Sequence, residues 1–181
     1  METTLRTYFT KVYGQQKLQV AQLEQLEKVS RTSRRKVLWE NLELPTVVVS
    51  IEVPVTYTYN IDLKKEWSIQ PAGEARGYRV VAPPLEWNRP APDISAMEIV
   101  VEKSSVFRNE NAISKKLLSE LSGFLDERSE QNLHIVREQA RQEICKLVEK
   151  WLVAYHDEDF SVEVVFPDEV GGEESSPSLS R

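Results

Sequence analysis

An α+β domain is the fold this sequence predicts: a mostly antiparallel sheet of about five strands with a long C-terminal helix packed on one face. Three observations predict it. In TVVVSIEVPVTYTYNI, residues 46–61, every odd position from Val47 to Ile61 is apolar, while the even positions are polar apart from Val48 and Pro54. That period of two describes a strand with one wet face. Residues 111–155 instead place apolar side chains at steps of three and four, the period of a helix with one buried stripe. Strand candidates come first, then the helical run, then a final strand, an order that favours α+β over alternating βαβ units.

Taken in order, Phe9, Val12, Val20, Leu23, Leu26 and Val29 suit a helix, with an irregular strand over Lys17 to Arg31 as the alternative. Residues 1–17 read as a helical or extended arm, 18–167 as one domain and 168–181 as a mobile acidic and Ser-rich tail. Short strands are expected at Val37 to Glu40, at Tyr78 to Ala82 after the hairpin-like Gly73 to Gly77, at Met97 to Lys103 and at Phe160 to Phe166. The strand over 46–61 would extend roughly 50 Å, and its Pro54 cannot donate to a ladder, so a bend or bulge there, or an edge position, is expected. PPLEWNRPAPD, residues 83–93, holds four prolines and reads as a semi-rigid loop.

The helical run carries Ile113, Leu117, Leu118, Leu121, Phe124 and Leu125, then Leu133, Val136, Ala140, Ile144, Leu147, Val148, Trp151, Leu152 and Tyr155. The second set is expected to be buried, with the helix over 133–155 laid on the sheet. Between the two sets DERSEQN, residues 126–132, has no apolar side chain, so either the helix bends there or a rod leaves the body.

The formal charge is −6, and Asp157, Glu158, Asp159, Glu163, Asp168, Glu169, Glu173 and Glu174 gather near the C-terminus with no Lys or Arg among residues 157–174. The rest is nearly neutral and offers no general basic face for phosphates, so no nucleic-acid partner is expected. One cysteine, Cys145, excludes a disulfide framework and gives no thiol-ligand spacing. No apolar run approaches a membrane span, and the N-terminus lacks the pattern of a signal peptide, so the chain is expected to be soluble as given.

Enzyme motifs are missing. The six glycines form neither a phosphate-cradling loop nor a dinucleotide fingerprint, and there is no nucleophile elbow or kinase signature. His134 and His156 are too far apart to form a helical zinc pair, and His156 to Asp159 reads as a solvated turn. His134 reads as a boundary residue and Cys145, mid-helix beside Ile144, as an inert filler. No catalytic, cofactor or metal residue is assigned. Arg31, Arg34, Arg35 and Lys36 form a basic cluster, read as a solvated turn or as a surface for anionic lipid, nucleic acid or an acidic tail. Trp67 and Trp87, with prolines nearby, either cap the core or line a groove for an extended ligand. Together these six residues make the candidate binding surface.

With VPVTYTYNIDL at Val53 to Leu63 and VVAPPLEWNRPAPDISAMEI at Val80 to Ile99, the sequence resembles a bacterial family of uncharacterised domains often found behind an N-terminal membrane anchor. Arg137-Glu-Gln-Ala-Arg141 and the closing Val165-Phe166 extend the resemblance, which covers most of residues 18–167. It implies no assigned activity, so no catalytic residue is carried over. This sequence departs by lacking the anchor, which leaves a soluble cytoplasmic member or a chain whose anchor was removed, with the membrane then nearby.

These readings point to a non-catalytic interaction or assembly module, self-associating or joined to a protein partner through an exposed strand edge or the polar-gapped helix. No cofactor is expected. The rival from another class is a hydrolase in which Asp157, Asp159 or Glu163 holds a divalent ion, and a third reading is a groove near Trp67 and Trp87 for peptide or lipid.

Overall fold

The computed structural model describes residues 16–33, 47–72, 77–103, 110–153 and 161–170. At its centre is strand β2, Val47–Asp62, whose odd-numbered side chains from Val47 to Ile61 are all at most 1% exposed. The alternation read from the sequence is the core-facing side of this strand. Along one edge runs β1, Lys17–Ser33, paired antiparallel from Lys17 opposite Asp62 to Ser33 opposite Val47. The helical reading of this segment is therefore overturned. Gln19 faces Asn60 and Ala21 faces Tyr59, so Val20 is the extra residue of a bulge. Beyond it the inward side chains are Ala21, Leu23, Gln25, Glu27, Val29 and Arg31, while Leu26 points outward. A helical spacing of leucines and valines was in truth drawn from both faces of one strand and its bulge.

The other edge of β2 is served by three short strands in turn: β5, Glu86–Trp87; β6, Ala91–Pro92; and β7, Glu98–Lys103, with a 3-10 turn at Ile94–Ala96. Each pairs antiparallel with β2, at Tyr59 and Asn60, at Val55 and Thr56, and from Val48 to Glu52. The proline-bearing segment is thus more than a loop, because it continues the ladder in pieces. Pro54 sits neither on an edge strand nor at a register break with β1, where it faces Leu26. Its carbonyl accepts the Asp93 amide at 2.8 Å, on the β6 side. An extended residue points its N–H and C=O the same way, so the missing donor falls in the gap between β7 and β6 and costs the β1 ladder nothing.

A second, three-stranded sheet holds β3, Ser68–Pro71; β4, Gly77–Val81; and β8, Ser161–Val165, with β4 antiparallel to β3 and parallel to β8. The segments around residues 80 and 163, expected in one sheet with β2, form this separate one. Helix α1, Glu110–Gln131, packs on β1 and β2, and α2, Leu133–Val153, on β1 and β8. The polar gap is a joint at Asn132, with both helices on the body, so no rod leaves it. Buried positions step by four from Leu117 to Ser129, by three to Asn132, and by four again through Val136, Ala140, Ile144 and Val148 to Leu152. Steps of four drift about 40° each around a helix, and the single step of three turns the stripe back by about 60° at the joint.

The final turn α3, Pro167–Val170, is tied to α2 through Asp168 and Glu169, so the first residues assigned to a tail belong to the body. The strand expected at 37–40, the residues of the Gly73 turn through Arg76, the arm through residue 15 and the tail from 171 lie outside the described residues. Among the described residues no helix is long and apolar enough to cross a membrane.

Candidate functional site

The inward face of β1 meets the two helices through polar side chains. Arg31 donates to Glu120 Oε2 at 2.7 Å, Glu27 lies 3.4 Å from Arg128 Nε, and Asn132 Nδ2 donates to Gln25 Oε1 at 2.8 Å. Descending β1 thus ascends α1 and enters α2. Beneath this row Tyr57 donates to Glu27 Oε1 at 3.1 Å, and Tyr59 donates to the Ser129 carbonyl at 3.0 Å. Burial, then the charge and hydrogen bond of Glu27, push the Tyr57 hydroxyl far above its ordinary range, and burial raises Tyr59 as well. Both phenols therefore stay protonated at neutral pH and act as donors, holding the joint in place instead of exchanging protons. On the opposite face of β1, Leu26 is 69% exposed, more than any other large apolar side chain among the described residues. Among those residues β1 pairs with β2 alone.

Of the six expected binding residues, Arg31 is committed to its ion pair, and Arg34, Arg35 and Lys36 lie outside the described residues. Trp67 lines an apolar groove of about 390 Å³ with Leu63, Ile69, Leu147, Val148 and Trp151. Trp87 is not part of that lining: it faces Tyr59 in the sheet and packs against the core, half-buried. The structure thus gives Trp67 other companions than the one expected. Leu147 and Trp151 had been read as part of the buried stripe, yet Trp151 is 53% exposed. Their spacing of four, one position before the buried Val148 and Leu152, is the signal that marks a second, partly open row.

Of the carboxylates expected to hold a metal, the one described, Glu163, is engaged by an arginine. Glu163 accepts from Arg79 Nε at 3.0 Å, and Asp157 and Asp159 lie outside the described residues. Arg141 donates to Glu169 Oε1 at 2.7 Å and to the Val164 carbonyl, and Arg137 lies 2.6 Å from Asp168. The hydrogen bond from Arg141, helped by the Phe166 amide and both arginine charges, holds the Glu169 carboxyl at about 2. Both guanidinium groups also lie over the Phe166 ring, 5.6 and 5.5 Å from its centre. Among the described residues no group of three or more His, Cys, Asp or Glu side chains is placed to hold a metal ion.

His134 is exposed, its Nδ1 2.6 Å from the Gln131 carbonyl. Burial, then the hydrogen bond to Glu149, push the Cys145 thiol up, the reverse of what a reactive thiolate needs. No family model, curated protein or solved structure matches the chain.

Proposed function

We propose that this chain is a non-catalytic assembly module that self-associates through the edge of β1 that pairs with no strand among the described residues. The supporting observation is that a 17-residue strand pairs on one side only among the described residues and carries Leu26 fully outward. A long strand edge is a template for another strand unless something blocks it. Among the described residues the carboxylates drawn together with other ionisable groups sit in ion pairs with arginines and lysines or in a phenol hydrogen bond, arrangements that serve position. Light scattering on the full chain across a dilution series tests it. A concentration-dependent dimer is expected, and a monomer at every concentration overturns the reading.

A second reading is favoured by the groove at Trp67 and Trp151. Its six lining residues are all apolar, so it gives buried peptide groups no partners and suits a hydrocarbon chain better than an extended peptide. A long-chain fatty acid should quench and blue-shift the tryptophan emission of the native chain but not that of a Trp151→Ala variant. No change in the native chain removes this reading.

A further inference from the structure

Resting on the assembly reading, we infer that two copies pair their β1 strands antiparallel about a two-fold axis through Leu26, joining both sheets into one. Directly opposed residues of an antiparallel pair share a face, so a two-fold axis must pass through a residue position, and the side chains decide which. About Leu26, Glu24 faces Lys28 of the second copy and Lys28 faces its Glu24, giving two opposite-charge contacts on the outer face in which each Lys28, 3.0 Å from Glu52 of its own chain, lies between two carboxylates. Leu26 meets Leu26 at the centre and Gln22 meets Ser30. On the inner face Leu23 meets Val29 and Gln25 meets Glu27. Moving the axis to Gln25 sets Glu24 against Leu26, and moving it to Glu27 sets Leu26 against Lys28. Neither neighbour keeps the charge pairs. The run from Ala21 to Arg31 lies wholly beyond the bulge at Val20, on regular strand.

The helices select the same axis independently. Glu120, Phe124, Arg128, Gln131 and Ile135 follow one another at steps of four, four, three and four, which puts them on one side of the two helices. Glu120 and Arg128 reach Arg31 and Glu27, so that side overlooks β1. Phe124 and Ile135 on it are 41% and 49% exposed. Because Glu27 lies beside Arg128 and Gln25 beside Asn132, Leu26 stands level with the middle of this row. Phe124 and Ile135 fall on either side of that level, and a two-fold axis there brings Phe124 of one copy towards Ile135 of the other. An axis perpendicular to the sheet also keeps both pairs of helices on one face, antiparallel and side by side.

The test combines light scattering with oxidative cross-linking in the full chain carrying Cys145→Ser. The Leu26→Cys variant should form a covalent dimer, because directly opposed residues lie within disulfide reach, whereas Gln22→Cys should not. Glu24→Lys, at an exposed position, should weaken association about tenfold, and adding Lys28→Glu together with Glu52→Lys, which keeps the ion pair of residues 28 and 52 within each chain, should restore it. The thermal transition of each variant reports that the fold is kept. A dimer in which Leu26→Cys fails to cross-link, or which Glu24→Lys leaves untouched, overturns this register while the assembly reading stands. A strictly monomeric native chain overturns both.

Discussion

Strands β1 and β2 have nearly the same length, 17 and 16 residues, and share one ladder, yet they hold the molecule together by different means. The inward side of β2 is an unbroken apolar row, each fully buried side chain contributing roughly 1.5–3 kcal/mol through removal from water. The inward side of β1 alternates Leu23 and Val29 with Gln25, Glu27 and Arg31, which bond to Asn132, Arg128 and Glu120. A hydrogen bond adds about 1 kcal/mol net, but a buried partner left without one costs more. Apolar area therefore sets how strongly the helices are held, and the polar row sets where along the sheet they sit.

Breaking the apolar row should have the largest effect. Ile51→Ala, at a fully buried position, is expected to lower stability by about 2–5 kcal/mol in urea unfolding. Next comes Glu27→Ala, which strands the buried Tyr57 hydroxyl and is expected to lower stability by about 1–3 kcal/mol. The contrast sharpens in the double variant Glu27→Leu with Tyr57→Phe, which removes donor and acceptor together and should recover much of that loss in the same assay.

A smaller effect lies away from both strands, in acid. The Glu169 carboxyl is held near 2 against an ordinary value of 4.5, so its contribution is complete above about 4.5 and disappears as pH falls towards 2. Melting temperature followed through that window should drop less steeply in Glu169→Gln than in the native chain. Smallest is Leu26→Ser, on the outer face of β1, which should change the stability of the single chain by less than about 0.5 kcal/mol in dilute urea titrations.

The same contrast explains what could be read from the amino acids beforehand. The inward row of β2 was legible because every second residue from Val47 to Ile61 meets the same apolar surroundings. On β1 the inward residues include Gln25, Glu27 and Arg31, the bulge at Val20 shifts the alternation, and Leu26 points outward. What remained, Val20, Leu23, Leu26 and Val29 at steps of three, imitates a helix. The pieces β5 and β6 pair through backbone over two residues each, which leaves no mark on side-chain pattern. Trp67 was legible as an aromatic beside a loop, but its neighbours Leu147 and Trp151 come from a distant helix. The clasp of Arg137 and Arg141 on Asp168 and Glu169 likewise joins residues about thirty apart, beyond any local periodicity.

The broken third strand has a last consequence. Its three pieces along β2 are separated by the stretch 88–90, which includes Pro90, and by the turn at Ile94–Ala96, and the longest of them spans six residues. That border makes a poor seam for any further chain, while the border formed by β1 is continuous for its full length. On the assembly reading, a five-stranded sheet with one continuous margin and one broken margin joins a second copy along β1 alone, which closes a pair at that sheet instead of extending it on both sides.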